Sequence, residues 1–146
     1  MSRVLLIAAD KPLPFCDFQE MRTKNVTIPS GEQFQISAPA GFLVEEHSYY
    51  RHAVDELHLH MKPYQFEFSL EAVESDLLHL KTYLTDHLIP GDEIELWNLW
   101  VGIDRSDFVC HERRTLTTLD MEAIGQLLNT TLANGKFDQF KMTISI

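Results

Sequence analysis

Residues 63–102 read PYQFEFSLEAVESDLLHLKTYLTDHLIPGDEIELWNLWVG, and this pattern predicts a strand, a helix, a turn and a second strand. Phe66 and Phe68 alternate with polar residues, which is typical of a strand with one buried face. The period then becomes helical, with apolar residues at spacings of three and four: Val73, Leu77, Leu80, Leu84 and Leu88. Pro90-Gly91 ends this helix, because proline cannot continue a helix and glycine accepts a positive φ.

The second strand of this stretch, residues 92–101, changes character along its length. Its first half alternates between acidic and apolar residues, whereas residues 97–101 are largely apolar on both faces. A strand of that kind is covered on both faces, or is covered on one face and used for association on the other. Trp97 and Trp100 are three residues apart, so we expect their rings to leave opposite faces of the sheet.

The remainder of the C-terminal part continues the alternation of strands and helices. Residues 103–107 resemble a hairpin connection, and residues 108–115 suit a returning strand at a sheet edge, because its end is charged. Thr117 and Asp120 have the spacing of a capping box, which predicts a second helix that Asn134-Gly135 closes. Residues 140–146 alternate as a last strand. The order β-α-β-β-α-β over residues 64–146 predicts an α+β, ferredoxin-like split βαβ fold: four antiparallel strands with both helices on one face.

The N-terminal part has weaker patterns. Residues 3–9 predict a buried strand, and residues 34–37 and 42–44 predict an antiparallel hairpin with the loop 38–41. A short helix is compatible with residues 48–56, and residues 57–61 alternate like a strand. We therefore expect one domain, residues 1–146, in which residues 1–62 form a β-rich extension that lengthens or covers the sheet of the core, residues 63–146.

Composition and charge exclude several classes of function. Twenty-two acidic residues against twelve basic ones give a formal net charge of −10, which argues against nucleic acid and against anionic membranes as partners. The early apolar run, residues 4–9, is too short for a secretory signal or a membrane span. Cys16 and Cys110 do not suggest a disulfide framework. We expect a soluble protein of the cytoplasm.

Histidine placement gives the most suggestive chemistry. His58 and His60 lie two apart on the predicted strand 57–61, so both rings would leave one face about 7 Å apart, which is close enough to share a metal ion. His47, His52 or His111 would complete a site for zinc or another divalent transition metal. The alternative is that these histidines are solvent-facing residues on the polar side of the strand, with no cofactor.

Cys110-His111-Glu112 places a thiol, an imidazole and a carboxylate side by side. Neighbours on a strand point to opposite faces, so Cys110 and His111 are poorly arranged as nucleophile and base. The sequence also lacks a phosphate-binding glycine loop and the common hydrolase motifs.

The aromatic residues Phe66, Phe68, Trp97 and Trp100 are the candidate ligand-binding or interface residues. The alternative is ordinary core packing, since large aromatic rings dominate burial. The sequence thus predicts a protein without catalysis of its own. It would bind a partner through its sheet face or N-terminal region. The simplest partner is a second copy of the chain, which gives a homodimer, and the other candidates are a different protein and a small apolar ligand. The competing hypothesis is a small metal-binding enzyme or sensor centred on His58 and His60.

Overall fold

The computed structural model describes residues 2–102, 105–129, 132–133 and 136–146, which form an α+β structure. The strands are β1 (Ser2–Ala9), β2 (Cys16–Asp17), β3 (Glu20–Thr27), β4 (Gln33–Ala40), β5 (Leu43–Glu46), β6 (Tyr64–Ser69), β7 (Glu93–Val101), β8 (Arg105–Thr115), β9 (Leu132–Ala133) and β10 (Lys136–Ser145). The helices are α1 (Arg51–Asp55), α2 (Glu74–His87) and α3 (Met121–Leu128).

The main sheet is mixed, and its strands follow the order β2-β5-β6-β1-β7-β10-β8, with β9 paired to β10. The N-terminal strand β1 lies in the middle of the sheet, antiparallel to β6 on one side and to β7 on the other. Leu6 is opposite Glu67 in β6 and Trp97 in β7. Because β6 and β7 both run antiparallel to β1, they are parallel to each other, and α2 connects them.

The chain order β-α-β-β-α-β is present, but the ferredoxin-like arrangement is not confirmed. In place of four antiparallel strands, β10 pairs with β8 in parallel, and β10 separates β8 from β7. β1 separates β6 from β7. The physical reason is that β1 is apolar on both of its faces, with six consecutive buried residues, and such a strand belongs inside a sheet. Residues 103 and 104 of the predicted connection lie outside the described residues.

Both long helices cover the same face of the sheet, as the periodicity predicts. Leu80 and Leu84 of α2 and Ile124 of α3 are fully buried in one cluster with Leu96 of β7 and Ile144 of β10. Gly91, just after α2, has a φ of +98°, which is the left-handed conformation that the Pro90-Gly91 pattern predicts.

The start of α3 differs from the capping box that the sequence suggested. Asp120, and not Thr117, is the N-cap, and its carboxylate accepts a 2.9 Å hydrogen bond from the amide of Ala123. The helix ends at Leu128, before the predicted stop at residues 134–135, which lie outside the described residues.

The opposite, outer face of the sheet is covered by α1 and by residues 56–61, which begin as a turn and then have no regular secondary structure. Val54 of α1 is buried against Leu6 and Trp97, and Leu57, Leu59 and Met61 pack against the same cluster. Residues 57–61 do not form the predicted strand. Their apolar side chains pack onto the outer face of the sheet, and their backbone forms no ladder with a neighbouring strand. The two-sided covering of β7 explains why residues 97–101 are apolar on both faces.

Residues 20–40 form a two-stranded hairpin outside the main sheet. β3 pairs with β4 in an unbroken register from Glu20↔Ala40 to Thr27↔Gln33. The predicted hairpin of residues 34–37 with 42–44 is therefore wrong: residues 38–40 belong to β4, and Val44 of β5 pairs with Phe68 of β6. Pro39 is tolerated because a two-stranded ribbon has an edge with no hydrogen-bonding partner.

An ion-pair network holds the base of the hairpin against the start of α2. Arg22 of β3 donates to Asp76 at 2.6 Å and to Glu71 at 2.9 Å, and Lys24 also pairs with Glu71. The side chain of Asp76 is 0% exposed, and it also accepts a hydrogen bond from the amide of Glu71. Arg22 is thus the cation that balances a buried carboxylate.

We predict that Arg22→Gln lowers the melting temperature by several degrees at neutral pH, because Asp76 is left buried without a cation. The matched control is Arg113→Gln, which removes a more exposed guanidinium 3.4 Å from Glu93 and should change the melting temperature little. Circular dichroism melts measure both variants. Equal effects of the two substitutions would contradict this role of Arg22.

The same network predicts an acid-dependent loss of stability. Hydrogen bonds from Lys24 and Arg22 lower the pKa of Glu71. Burial alone would raise the pKa of Asp76, but the hydrogen bonds from Arg22 and the Glu71 amide lower it. A carboxyl group with a lowered folded-state pKa stabilises the fold above its unfolded pKa, about 4, and this contribution is lost as the pH falls through the folded pKa.

The difference in melting temperature between the wild type and Arg22→Gln should therefore narrow as the pH is lowered from about 6 to about 3. Melts across a pH series measure this difference. A difference that stays constant down to pH 3 would show that the two carboxylates do not depend on Arg22.

Candidate functional site

The four aromatic residues expected to form a ligand site or interface lie mostly in the interior. Trp97 is 2% exposed in the outer cluster, and Phe68 is 5% exposed in the helix-side core. Phe66 is half-buried against the same core, and the partly exposed Trp100 stacks on Phe137 with ring centroids 4.1 Å apart. Trp97 and Phe68 are thus packed within the chain itself, and neither is accessible to a partner.

The two tryptophan rings leave opposite faces of β7, as predicted. Trp97 belongs to the outer cluster. Asn98 donates from Nδ2 to the carbonyl oxygen of Leu127 in α3, so the even-numbered residues, Trp100 included, face the helices.

The histidines of the metal hypothesis are dispersed. His58 and His60 are exposed on the irregular segment that covers the outer face, and His58 has a φ of +52°. His52 projects into solvent from α1 beside Glu56, and His111 contacts Thr143 through Nε2 at 3.1 Å. His47 is buried. Among the described residues, no group of three or more His, Cys, Asp or Glu side chains has the arrangement to hold a metal ion.

Cys110 lies on β8, between His111 and Val109, and both described thiols are free. Burial, and then the negative charges of Asp138 and Glu112, raise the pKa of Cys110. Burial likewise raises the pKa of Cys16. A raised pKa disfavours the thiolate, which is the nucleophilic form.

We predict that iodoacetamide alkylates both cysteines of the folded protein more slowly at pH 7.5 than it alkylates a free cysteine peptide. Mass spectrometry with quenched time points measures the rates, and the unfolded chain is the control. Alkylation of Cys110 faster than the peptide would identify an activated nucleophile and overturn this view.

A charged cluster on the outer face is fully paired. Glu95 is buried and accepts hydrogen bonds from the Lys62 amide at 2.9 Å and from Trp97 Nε1 at 3.3 Å. Its second oxygen lies 2.9 Å from Nζ of Lys141, and Lys62 pairs with Asp10. Because each of these charges has a partner, the cluster stabilises the packing of residue 62 onto the sheet.

The hairpin presents an apolar strip to solvent. On one face of β3–β4, Lys24 is opposite Ile36 and Val26 is opposite Phe34. Phe34 and Ile36 are each 45% exposed, and the residues of β4 are exposed almost throughout. β4 contains no charged residue, and Glu32 is the only charge between Lys24 and Glu45. We call residues 33–40 the β4 edge.

A cavity of about 220 Å³ lies where β5 leads into α1, next to the start of β6. Its polar lining includes Glu46, His47 and Arg51. Nδ1 of His47 is 3.1 Å from Oε2 of Glu67, and the imidazole is fully buried. Nε2 of His47 has no hydrogen-bond partner among the described residues. We call this the His47 cavity.

A scan against protein-family models, a search of curated proteins and a search of solved structures each find no match to this chain. Within the described parts of the chain, no helix is both long and apolar enough to cross a bilayer. We therefore infer function from the geometry of the described surfaces alone.

The sequence patterns missed the residues that distinguish the β4 edge and the His47 cavity. The sequence pattern places Ile36 in the predicted hairpin strand 34–37 and Arg51 in the short helix 48–56, and it assigns neither residue a binding role. The available signal was charge: β4 is uncharged in a strongly acidic chain, and Arg51 is a cation close to the carboxylates Glu45 and Glu46. His47 is a predicted metal ligand, but the residue with which it forms a hydrogen bond, Glu67, lies twenty residues away in the sequence.

Proposed function

We propose that this chain is a non-catalytic protein that self-associates into a homodimer through the β4 edge. In the proposed dimer, the two β4 strands pair antiparallel, so that two hairpins combine into one four-stranded sheet. The observation that carries the proposal is an exposed, uncharged and bulge-free strand at the edge of a hairpin that lies outside the main sheet.

The low stability that is expected of an isolated hairpin supports the proposal that a binding partner covers this position. An isolated two-stranded hairpin is marginally stable in water, whereas three or more strands with a shared apolar face are stable. Arg22 and Lys24 fix the base of the hairpin, but Phe34 and Ile36 remain about half exposed. A second copy would supply both the missing ladder and apolar neighbours for these two side chains.

Electrostatics favours a second copy at this surface. Two molecules that each carry a net charge of −10 repel one another, and the repulsion is smallest where they meet through uncharged residues. A twofold axis at Ile36 places Ile36 opposite its own copy and Phe34 opposite Ala38 of the other molecule, so no like charges face each other across the new ladder.

The other long edge of the described structure is less suited to pairing. β8 carries Glu112, Arg113 and Arg114. Its register with β10 is broken between Arg105 and Val109. Charges and irregular register are the features by which edge strands avoid pairing with other chains. The β4 edge has neither feature, and its one proline, Pro39, is the penultimate residue of the strand, so the rest of the edge keeps its amide donors.

The test is the oligomeric state of the wild type and of Ile36→Lys, measured by sedimentation velocity over a concentration series. We predict a dimer for the wild type and a dissociation constant at least about 10-fold higher for Ile36→Lys, since two lysines would meet at the axis. Ile36 is exposed in the single chain, so the variant should retain the wild-type circular dichroism spectrum.

The matched control is Phe108→Lys, which places the same charge at a 62% exposed aromatic residue on β8. This variant should remain a dimer. A wild type that stays monomeric at high concentration would overturn the proposal. A dimer that Phe108→Lys dissociates and Ile36→Lys leaves intact would overturn it as well, and would assign the interface to β8.

A further inference from the structure

We propose that a groove between β8 and α3 is a docking site for a basic amphipathic α-helix of a protein partner. The groove has a volume of about 750 Å³, and its lining includes Phe108, Cys110 and Phe140 of the sheet and Gly125 and Gln126 of α3. We call it the α3 groove. The inference does not depend on the proposed homodimer, because the β4 edge belongs to the separate hairpin.

The α3 groove exists because the layer of helices ends before the sheet does. α3 packs over β7 and β10, whereas β8 lies one strand farther out. Neighbouring strands are about 4.8 Å apart, and packed helices are about 8–10 Å apart. One more helix beside α3 would therefore lie above β8 and would continue the layer that α2 and α3 form.

The sheet side of the groove presents aromatic surface. Phe108 is 62% exposed, and Phe140 is only half-buried at the border of the helix-side core. An amphipathic helix binds such a groove through apolar residues at spacings of three and four, which form one continuous face. A helix of this kind would cover both rings.

The other wall of the groove is one face of α3, on which Gly125 lies between Glu122 and Asn129. A Cβ at Gly125 would have no atom within 4 Å, so the space beside this residue is open. Glycine is a poor residue for a helix interior, but its lack of a side chain lets a neighbouring helix approach closely. At the β8 side, Arg114 donates to Gln126 at 2.8 Å and joins the two walls.

Electrostatics selects a basic partner. Glu112 of β8 and Glu122 of α3 lie on opposite walls, and no lysine or arginine is among the described residues that line the groove. The negative charges of Asp138 and Glu112 both raise the pKa of the Cys110 thiol, so both carboxylates lie near this part of the groove. Lysine or arginine residues beside the apolar face of a docked helix would complement these charges.

A second copy of this chain does not have the charge for this groove. Each molecule has a net charge of −10. Its two long helices are acidic: α2 has Lys81 as its one lysine or arginine against three carboxylates, and α3 has none. Charge complementarity therefore points to a different protein, with a basic helix.

Fluorescence anisotropy with labelled synthetic peptides and the full chain tests the proposal. The probe is an amphipathic helix of about 18 residues, with leucines on one face and lysines on the other. The control peptides are a scrambled peptide of the same composition and a helix in which glutamate replaces lysine. We expect the leucine–lysine helix to bind and both controls to bind at least about 10-fold more weakly, because one lacks a continuous apolar face and the other has the wrong charge.

Gly125→Leu should weaken binding of the leucine–lysine helix at least about 10-fold, since leucine would fill the open space beside α3. The same open space should let the variant fold, and leucine favours a helix more than glycine does. The matched control is Ser75→Leu, which adds the same side chain at an exposed position of α2 and should bind like the wild type. Circular dichroism checks both folds.

The double variant Glu112→Gln/Glu122→Gln should also weaken binding of the leucine–lysine helix, and the loss should shrink as salt is added. Its matched control is Glu45→Gln/Glu46→Gln, which removes two exposed carboxylates at the end of β5. This control should bind like the wild type, because its charges lie outside the α3 groove.

Three results would overturn the inference. The first is the absence of binding by the leucine–lysine helix at millimolar concentration. The second is equal binding of the scrambled peptide, which would indicate attraction by charge alone. The third is wild-type binding by Gly125→Leu, which would place the peptide elsewhere on the molecule.

Discussion

The antiparallel pairing of β1 with β7 is the constraint on which the rest of the structure depends. β1 is apolar on both faces and β7 is largely so beyond its acidic first half, and both strands are buried on both sides of the sheet. Pairing them from Ser2↔Val101 to Ala8↔Glu95 creates a two-sided apolar surface at the centre of the sheet. One side requires the amphipathic helices α2 and α3. The other side requires a second cover, which α1 and residues 56–61 supply. The positions of these elements follow from the need to bury this central pair.

The local elements of the C-terminal part were predictable, because their information is local. The period of the apolar residues defines β6, α2 and β7 without reference to any distant residue. Strand pairing was not predictable in the same way. Whether β10 lies beside β7 or at the edge depends on where β1 inserts, and no periodicity within residues 63–146 contains that information.

The hairpin prediction was wrong for a different reason. Pro39 and Gly41 are both turn-forming residues, yet Pro39 lies within an edge strand. Of the two, only Gly41 has a positive φ, +146°. A Cβ at Gly41 would lie 2.8 Å from the carbonyl oxygen of Phe18, so glycine permits this close approach.

The functional residues were likewise predictable only where local strand geometry determines their orientation. The opposite orientation of Trp97 and Trp100 follows from strand geometry alone and was correct. The grouping of histidines assumed that residues near in sequence converge, and this fails because residues 57–61 lie flat on the sheet with His58 and His60 directed outward. The contact of His47 with Glu67 joins the end of β5 to β6, so it depends on the pairing of those strands. The absence of charge in β4 is visible in the sequence, whereas the lack of a carboxylate partner for Arg51 becomes visible only when the neighbours of every charge are known.

The proposed dimer surface, the β4 edge, lies in the N-terminal part, and the reason is structural. The central strands are covered on both faces, with Trp97 and Phe68 buried and the charges around Glu95 paired, so these side chains are engaged within the chain. Residues 10–19 connect β1 to the hairpin over the surface, and within four residues Phe15 lines the His47 cavity while the amide of Phe18 donates to Phe42 at the base of the hairpin. β2, between them, pairs with β5, which itself contributes Glu46 to the cavity. The short β2–β5 ladder therefore holds the cavity and the hairpin base in a fixed relation. In the proposed dimer, association would use an extension on a rigid scaffold, an arrangement by which proteins separate the residues that stabilise the fold from those that bind.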